Sequence, residues 1–511
     1  MLFNSYEFIF LFLPVALLGY WSAARWLGAG AGMWWLVLAS LFFYSWWNPV
    51  YLPLLLASIA INYALGRRLS RSGRGNRAIL ALGIAANLGT LFYFKYTNFA
   101  LGVIDAAAGT ALNPPPIVLP LAISFFTFQQ IAYLVDSHRG LTREYAFSRY
   151  ALFVTFFPQL IAGPIVHHGE MLPQFARRSR PSPRTINLLV GLSIFTVGLF
   201  KKIVFADGVA IHADAIFGAA ARGETLDFFL SWTGALCYTM QLYFDFSGYS
   251  DMAVGLARMF GIRLPINFNS PYQARSVIDF WRRWHMTLSR FLRDYLYIAL
   301  GGNRRGEARR YANLFLTMLL GGIWHGAGWT FVLWGAWHGL MLIANHAWAT
   351  LRRRIGWRGE AGLWQGCAWA LTFAGVVAGW VLFRADSIDT ARGMLASMVG
   401  LNGASLPLHW RGLLQPVVPA LEAAGVVFEN AAMMLTYTPL LWVGLLGVIS
   451  VFAPNVYRIA ARCRPVLRDG APPQARLAWR PTWAWTVAVA SLAALALLNL
   501  SNISQFLYFQ F

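Results

Sequence analysis

The feature of this sequence that most constrains its fold is a series of long apolar runs. Several of them approach the roughly 20 residues that cross a bilayer as an α-helix. Of the 511 residues, 58% are hydrophobic and only 12% are charged, whereas an ordinary soluble domain is about 25% charged. The chain is therefore predicted to be an all-α, polytopic membrane protein. The clearest runs are 8–21, 51–65, 363–383, 434–452 and 483–498.

Taken in order, the apolar runs predict about eleven or twelve spanning helices in a single membrane domain over residues 1–511. A weaker stretch, 153–164, is broken by Pro158 and Gly163, so protein or a water-filled cavity is expected to cover it. The polar segment 245–310 has apolar runs too short to span and is expected to be re-entrant or interfacial. The first run has neither a basic flank nor a cleavage site, so it is expected to be a retained helix. The predicted spans are 7–23, 33–47, 49–65, 78–94, 117–136, 185–206, 228–245, 312–322, 330–348, 363–383, 434–453 and 482–499.

The net charge of +21 comes largely from arginines that gather in short segments between apolar runs. This is the positive-inside pattern, so these segments are predicted to face the cytoplasm, where anionic headgroups also attract them. The same distribution argues against a nucleic-acid partner. The three cysteines lie far apart without metal-ligand spacing, so neither a disulfide framework nor a zinc site is expected. The arginine clusters are Arg67, Arg68, Arg71, Arg74 and Arg77; Arg177, Arg178, Arg180 and Arg184; Arg352, Arg353, Arg354 and Arg358; and a fourth from Arg458 through Arg480.

Three of the nine histidines, His285, His325 and His338, follow a tryptophan within dense and unusual local sequences. Histidine suits proton transfer at neutral pH because its unperturbed pKa is about 6.5. An ionisable side chain at membrane depth is costly unless it faces a cavity or a polar partner, so each position is a functional hypothesis. The alternative is an interfacial Trp-His belt that only anchors helices. Solvated or structural roles are expected for His138, His167, His168, His212 and His409, and an interfacial position for His346.

His325 is the strongest candidate for a catalytic base. Glycines at 321, 322, 326 and 328 leave room for a substrate or an acyl chain to approach it. Apolar surroundings disfavour the imidazolium and keep the ring neutral, which is the form that a general base requires. His338 follows thirteen positions later, about 220° around the axis of a continuous helix. The two rings therefore need not converge.

Other catalytic chemistries have less support in the sequence. A serine-glycine pair between the two aspartates Asp245 and Asp251 lacks the G-x-S-x-G elbow of a serine nucleophile. Neither a phosphate-binding loop nor a dinucleotide fingerprint is present. The two aspartates are predicted to pair with arginines such as Arg258, Arg282 or Arg283 rather than to act as catalytic carboxylates.

At these residues the chain resembles the membrane-bound O-acyltransferase family, and within it the bacterial branch typified by the membrane subunit of alginate O-acetyltransferase. The match is extensive, and it is densest between Gln241 and His338. So many separated motifs are specific for the family. The matching motifs are Phe10-Leu11-Phe12-Leu13-Pro14, Phe94-Lys95-Tyr96, Leu121-Ala122-Ile123-Ser124-Phe125, Phe157-Pro158-Gln159-Leu160-Ile161-Ala162-Gly163-Pro164, Tyr243-Phe244-Asp245-Phe246-Ser247-Gly248-Tyr249-Ser250-Asp251-Met252-Ala253, Asn267-Phe268-Asn269, Arg293-Asp294-Tyr295-Leu296-Tyr297, Leu300-Gly301-Gly302-Asn303-Arg304 and the final Phe506-Leu507-Tyr508-Phe509-Gln510-Phe511.

The resemblance implies a fold and a site. Its helices surround a thinned central region, with a tunnel in which a donor from the cytoplasmic side meets an acceptor on the outer side. The Trp324-His325-Gly326 match implies that His325 is the catalytic histidine. The Trp284-His285-Met286 match implies that His285 is the second characteristic histidine, and His338 has less support from the resemblance. The catalytic core is expected within the polar segment of about 241–340.

The resemblance also implies the substrates. The expected donor is acetyl-CoA, with no permanently bound cofactor and no metal, and Arg282 and Arg283 are candidates to attract its phosphates. The expected acceptor is a hydroxyl of an exported cell-surface polysaccharide such as alginate, with periplasmic acetyltransferases as partner proteins. The implied location is the bacterial inner membrane, in contact with its lipids. In the resulting mechanism, His325 takes the proton of the sugar hydroxyl and His285 orients or hands over the acyl donor.

Two other functions stay open at this point. A related branch of the same family transfers D-alanine to teichoic acid from a carrier-protein thioester, although the stretch Gly301-Gly302-Asn303-Arg304 looks more like the alginate-type branch. A non-catalytic polysaccharide or lipid transporter would also need a polar, broken core. The predicted spans show no half-to-half symmetry, which counts against a transporter.

Overall fold

The structure is a computed structural model that describes residues 1–72, 76–110, 117–142, 146–176, 184–357, 362–430, 435–467, 473–500 and 506–507. Within these ranges the chain is mostly α-helical, as the sequence predicts. Arg74, Arg177, Arg178, Arg180, Arg358 and Arg468 of the arginine clusters lie outside the described residues, as does the end of the C-terminal motif, 508–511.

The helices differ widely in length, from single turns to more than eight turns. In chain order they are α1 Leu13–Trp26, α2 Ala29–Ser45, α3 Leu52–Ser72, α4 Arg77–Ala108, α5 Ile123–His138, α6 Phe147–Thr155, α7 Phe157–Leu160, α8 His168–Phe175, α9 Thr185–Phe200, α10 Asp207–Ala221, α11 Phe228–Met259, α12 Val277–Trp281, α13 Met286–Phe291, α14 Glu307–His325, α15 Trp329–Arg354, α16 Gly362–Arg384, α17 Ile388–Met398, α18 Trp410–Leu413, α19 Val418–Ala423, α20 Tyr437–Phe452, α21 Val456–Ile459 and α22 Trp483–Leu498.

Shorter elements connect these helices. Turns of π-helix lie at Glu7–Phe12, Lys201–Ala206 and Leu292–Tyr297, and turns of 3₁₀-helix lie at Pro49–Tyr51, Pro271–Gln273 and Ala461–Cys463. Two short strands, β1 Ala404–Pro407 and β2 Val426–Glu429, pair in parallel, with Ala404 opposite Val426. Both strands lie in the polar stretch between α17 and α20, and they are a small departure from the all-α prediction.

Length and composition separate the helices that suit a bilayer from those that do not. Five described segments are long and apolar enough to cross a membrane, because about 20 residues of helix span the hydrocarbon core. Three shorter helices, α2, α20 and α22, are also apolar. The polytopic architecture is thus supported for the described residues. The five segments are Glu7–Trp26, Pro49–Arg71, Arg77–Ala108, Thr185–Ala221 and Gly362–Arg384.

Helix α11 forms the centre of the fold and is almost entirely buried along its length. It packs against α9 at two reciprocal glycine contacts. A Cβ added at Gly191 would lie 2.6 Å from the carbonyl oxygen of Gly255, and a Cβ added at Gly198 would lie 2.5 Å from that of Gly248. Small residues let helix backbones approach closely, which is how helices pack in a lipid environment.

The course of α11 corrects one prediction. The segment after Asp245 was expected to be re-entrant or interfacial, but residues 245–259 continue the same 32-residue helix. The polar residues on this part are accommodated by ion pairs and burial rather than by a break in the backbone. Irregular backbone begins only at Phe260, and short helices then alternate with extended chain up to Gly306.

The buried aspartates of α11 correct a second prediction, because their partners are lysines and not arginines. Asp245 Oδ1 lies 2.7 Å from Nζ of Lys202, and Asp251 Oδ2 lies 2.7 Å from Nζ of Lys201. The two lysines sit in the π-helical turn that follows α9, which α11 packs against. A charge buried near the membrane interior is tolerated when it is paired. These pairs therefore fasten α9 to α11.

Candidate functional site

The three tryptophan-flanked histidines lie close together although they come from three separate elements. The ring centroids of His285 and His325 are 6.5 Å apart. The indole of Trp334 lies between the other pair, 5.0 Å from the ring of His325 and 4.9 Å from that of His338. All three imidazoles are buried. The separation of about 220° expected for His325 and His338 on one continuous helix does not apply, because they belong to the consecutive helices α14 and α15.

His325 is the last residue of α14 and lies where two cavities approach each other. We call the first the amino-terminal cavity, with a volume of about 190 Å³, and the second the arginine-rimmed cavity, with a volume of about 470 Å³. Among the described residues, His325 is the one side chain that lines both. The amino-terminal cavity is lined by Met1, Leu2, Trp47, Lys95, residues 119–125, Ile161, Trp324 and His325. The arginine-rimmed cavity includes Arg282, Arg293, Tyr297, Asn303, Arg310, Met318, Gly321, His325, Trp334 and His346.

The arginine-rimmed cavity follows the length of α14. Arg310 lies near the start of this helix and His325 at its end, fifteen residues later, which corresponds to about 22 Å of helical rise. Nη2 of Arg310 approaches Nδ1 of His346 on the antiparallel helix α15 at 2.6 Å. A molecule entering between the arginines would therefore have to extend along α14 to reach His325.

The glycines around His325 serve packing more than substrate access. A Cβ at Gly322 would lie 2.4 Å from the carbonyl oxygen of Phe331, and one at Gly326 would lie 2.1 Å from the phenyl ring of the same residue. Gly328 also borders that ring, at 3.5 Å. Only Gly321, of the four glycines expected to leave room for substrate, lines the arginine-rimmed cavity. The close α14–α15 contact is what the other glycines permit.

His285 occupies a backbone conformation that few residues other than glycine adopt, with φ +42° and ψ +51°. Such conformations cost on the order of 1–3 kcal/mol and cluster at functional sites. Hydrogen bonds of both neighbouring residues hold the conformation: the backbone N–H of Trp284 donates to the carbonyl of Phe280 at 2.8 Å, and that of Met286 donates to the carbonyl of Asn267 at 2.9 Å. The ring lies edge-on to Phe246, with centroids 4.8 Å apart.

The side chain of Asn267 determines which ring nitrogen of neutral His285 carries the proton. Its Oδ1 accepts from both the backbone N–H and the hydroxyl of Thr287, at 3.4 and 2.9 Å, so oxygen and not nitrogen must face this side. Nδ1 of His285 lies 3.1 Å from the same oxygen. A ring nitrogen that faces an acceptor carries the proton, so the neutral tautomer leaves the lone pair on Nε2.

His338 has different surroundings. Its side chain is 0% exposed, and among the described residues neither ring nitrogen has a hydrogen-bond partner. Trp281, Trp334 and Trp380 surround the ring at centroid distances of 5.1, 4.9 and 6.1 Å. A Cβ at Gly379 would lie 2.8 Å from Nε2. The imidazole is sealed by aromatic rings and lines neither cavity.

The two adjacent arginines proposed for the donor lie in different places. Arg282 lines the arginine-rimmed cavity together with His325. Arg283 forms an ion pair with Asp279, with Nε 2.9 Å from Oδ1, and lines a separate cavity. The structure therefore brings only the first of the two into the cavity that reaches the histidine.

A second histidine cluster lies away from these cavities. Oδ2 of Asp136 is 2.7 Å from Nε2 of His167, 3.0 Å from Nε2 of His168 and 2.6 Å from the hydroxyl of Tyr295. Burial, together with the carboxylate beside it, raises the pKa of Tyr295 above its ordinary value, so its hydroxyl stays protonated and donates. Burial also lowers the pKa of His168, against the opposing effect of Asp136.

The atoms of this cluster lie close enough together to hold a metal ion, but the hydrogen bonds of His167 do not fit that role. Its Nδ1 accepts from the backbone N–H of Gly169 at 3.2 Å and caps α8. The proton of the neutral ring must then be on Nε2, the nitrogen that faces Asp136. A histidine that binds a metal does so through an unprotonated nitrogen and carries its proton on the opposite one. The donor pattern fits a hydrogen-bonded network, the structural role expected for His167 and His168.

These observations describe a helical membrane protein in which a buried histidine lies between two cavities. The sequence profile of the membrane-bound O-acyltransferase family matches residues 137–382. A peptidoglycan O-acetyltransferase of Helicobacter pylori is 47% identical over 80% of this chain and 81% of that protein. A probable alginate O-acetylase AlgI of Pseudomonas aeruginosa is 38% identical over the full length of both.

A teichoic acid D-alanyltransferase of Streptococcus thermophilus is more distant, at 29% identity over 52% of this chain and 66% of that protein. The similarity to the two O-acetylating relatives extends over most or all of each chain. The chain therefore belongs to the membrane-bound O-acyltransferase family and is an O-acyltransferase of the membrane.

Proposed function

We propose that this enzyme transfers an acetyl group from acetyl-CoA, at the cytoplasmic face of a bacterial inner membrane, toward hydroxyls of an exported cell-surface polysaccharide, with His325 as general base. The observation that carries the proposal is the position of His325, which lines both the amino-terminal cavity and the arginine-rimmed cavity. A base in this position can meet an acceptor from one side and a donor from the other. The complete fold is proposed to have about eleven or twelve spanning helices.

The charges of the two cavities support an assignment of donor and acceptor sides. Arg310 lies near the start of α14, and Arg352, Arg353 and Arg354 lie at the end of α15, which runs antiparallel to it. Arginine excess marks the cytoplasmic side. The arginine-rimmed cavity would then open to the cytoplasm, and the amino-terminal cavity would open to the outside.

In the proposed reaction, a ring nitrogen of His325 accepts the proton of the acceptor hydroxyl as its oxygen attacks the acyl carbon. The new ester bond forms, the thioester C–S bond breaks, and the proton passes to the departing thiolate. General-base assistance of this kind contributes roughly 10² to 10⁴ in rate. His285, whose Nδ1 is held by Asn267, is proposed to orient the acyl group or to hand it over through Nε2.

Arg282 is the better supported of the two donor-side arginines, because it lines the cavity that leads to His325. Guanidinium groups bind phosphate through paired N–H donors, so Arg282 is proposed to attract the phosphates of acetyl-CoA. Arg283 is already engaged with Asp279, and its contribution to donor binding is proposed to be indirect, through the fold of α12.

The names of the relatives reduce the choice of acceptor to two kinds of glycan. One similar protein is named for peptidoglycan and another for alginate, so the proposed acceptor is an exported glycan of either kind. The acetyl group either reaches the glycan here or passes first to an exported partner acetyltransferase. D-alanyl transfer is disfavoured because the relatives named for it are more distant and match only about half of this chain.

The test is acetyl-ester analysis of both exopolysaccharide and peptidoglycan, in cells with the gene, without it, and with His325→Ala in its place. Loss of acetyl esters from one glycan in the last two strains, with the glycan itself still made and exported at normal levels, supports the proposal. Loss of glycan export together with acetylation would instead support a transporter. Inverted membrane vesicles, which expose the cytoplasmic face, should accept labelled acetyl-CoA, and right-side-out vesicles should not.

A further inference from the structure

Lysine is rare in this chain, and the surroundings of its three copies differ. Lys201 and Lys202 are each within 2.8 Å of an aspartate. Lys95 has no ion-pair partner among the residues that the structure describes. It lies in α4, an apolar helix of which only 17% of the apolar window is buried within the protein. A cation in such a helix is costly, so its contacts need an explanation.

Those contacts all lie at the C-terminal end of α14. Nζ of Lys95 donates to the carbonyl oxygen of Trp324 at 2.6 Å and to that of His325 at 3.0 Å. The hydroxyl of the next residue, Tyr96, donates to the carbonyl oxygen of Ile323 at 2.8 Å. Two adjacent side chains of α4 therefore bind three consecutive carbonyls of the helix that ends at the proposed base.

These carbonyls need partners because of where the helix stops. The last four carbonyls of an α-helix have no intrahelical donor, and the chain leaves α14 at Gly326 in an extended conformation, with φ −159° and ψ +152°. The C-terminal end of a helix carries partial negative charge, which a cation stabilises. Lys95 supplies hydrogen-bond donors for two of these carbonyls, and its aliphatic stem lets Nζ reach the helix end from α4.

We propose that Lys95 and Tyr96 are positioning residues that clamp the end of α14 and so fix the ring of His325 between the two cavities. The inference rests on the proposed function, because it assigns a role to the clamp through His325. A displacement of about 1 Å at a catalytic group can cost on the order of 10²-fold in rate. The expected result of losing the clamp is therefore slower turnover with unchanged affinity for acetyl-CoA.

The primary test is a set of variants measured as purified, detergent-solubilised full-length protein. Lys95→Met should lower kcat by tenfold or more, and Tyr96→Phe should lower it by about threefold, with the KM for acetyl-CoA unchanged within a factor of two. Lys95→Arg, which keeps a cationic donor, should recover part of the loss. Tyr93→Phe is the matched control, since Tyr93 lies on the same helix and is 55% exposed. It should behave as wild type.

A double-mutant cycle separates positioning from a general loss of stability. If Lys95 acts through His325, then Lys95→Met should cost little further activity in the His325→Ala background. Full additivity of the two losses would overturn the proposal, as would a wild-type kcat for both Lys95→Met and Tyr96→Phe. Lys201→Met provides the contrast, because it leaves Asp251 unpaired and should lower the thermal stability rather than the turnover of the folded protein.

The outcomes also separate this inference from the proposed function. If His325→Ala turns over like wild type, the general-base function fails and the clamp loses its purpose. If His325→Ala is inactive while the clamp variants have wild-type kcat, the function stands and the positioning role fails.

Discussion

The tripeptide Trp-His-Gly occurs twice in this chain, and its two copies occupy different surroundings. In Trp324-His325-Gly326 the histidine ends α14 and lines both cavities. In Trp337-His338-Gly339 the histidine lies within α15, 0% exposed and enclosed by indole rings. The indole of Trp334 contacts both imidazoles.

The difference shows that local sequence does not decide whether a histidine lines a cavity. Both copies place an imidazole beside a tryptophan and a glycine, but the glycine has a different partner in each. Gly326 makes room for the ring of Phe331, whereas Gly339 makes room for α14, with Phe315 only 3.0 Å from an added Cβ. A helix end exposes its last side chain to whatever space follows, and a helix interior does not.

The largest expected effect is that of His325→Ala. Removing the ring abolishes the proposed proton acceptor but leaves both cavities and the clamp on the backbone carbonyls, so acyl transfer should fall by at least about a hundredfold. Transfer is measured with purified protein at matched abundance. A folded, normally abundant variant that keeps near wild-type activity would remove the contrast between the two Trp-His-Gly copies and return a transporter to consideration.

The next effect is that of His285→Ala, which should lower kcat by about ten- to a hundredfold. Its ring lies 6.5 Å from that of His325, and Asn267 fixes its tautomer. Asn267→Asp is the sharper companion, because a carboxylate keeps an acceptor toward Nδ1 whereas Asn267→Leu removes it. We expect the aspartate variant to retain more activity than the leucine variant. Equal activity in the two would show that the tautomer does not matter.

A smaller effect is expected at the entrance of the arginine-rimmed cavity. Arg282→Ala should raise the KM for acetyl-CoA by about three- to tenfold with little change in kcat, because it removes the proposed phosphate contact, which lies far from the acyl carbon. Arg283→Ala is the matched control, since its guanidinium pairs with Asp279 and lines another cavity. If both variants raise KM equally, the separation between the two arginines has no functional meaning.

The parts of the fold that could be predicted from sequence are those encoded by local pattern. Apolar runs predict helices in the right places, and the dense motifs around His285 and His325 belong to segments that the structure brings together, with the two ring centroids 6.5 Å apart. The partners of Asp245 and Asp251 could not be predicted, because pairing with Lys202 and Lys201 depends on how α9 packs against α11. Pairing with arginines was expected and is wrong.

The same limit explains what was missed at the site. Lys95 was noticed only as part of a motif, although an unpaired cation in an apolar helix is itself a signal of function. Its target, the end of α14, is 229 residues away in sequence, so no local pattern could identify it. The glycines around His325 were expected to admit substrate, but packing between α14 and α15 takes up most of the space they leave.

The smallest expected effect on turnover is at His338, and it is the one that best tests the comparison. Because both ring nitrogens are buried without a partner in the described structure, the imidazole already bears a desolvation cost, and an apolar side chain of similar size should relieve it. His338→Leu is therefore expected to keep kcat within about twofold and to leave thermal stability equal or higher. His338→Ala should instead create a cavity among the indole rings, which costs on the order of 2–4 kcal/mol, and lower abundance without lowering kcat per folded molecule. Measuring kcat and melting temperature for both variants distinguishes packing from chemistry, since a His338→Leu protein that is stable but inactive would mean that the sealed histidine takes part in catalysis after all.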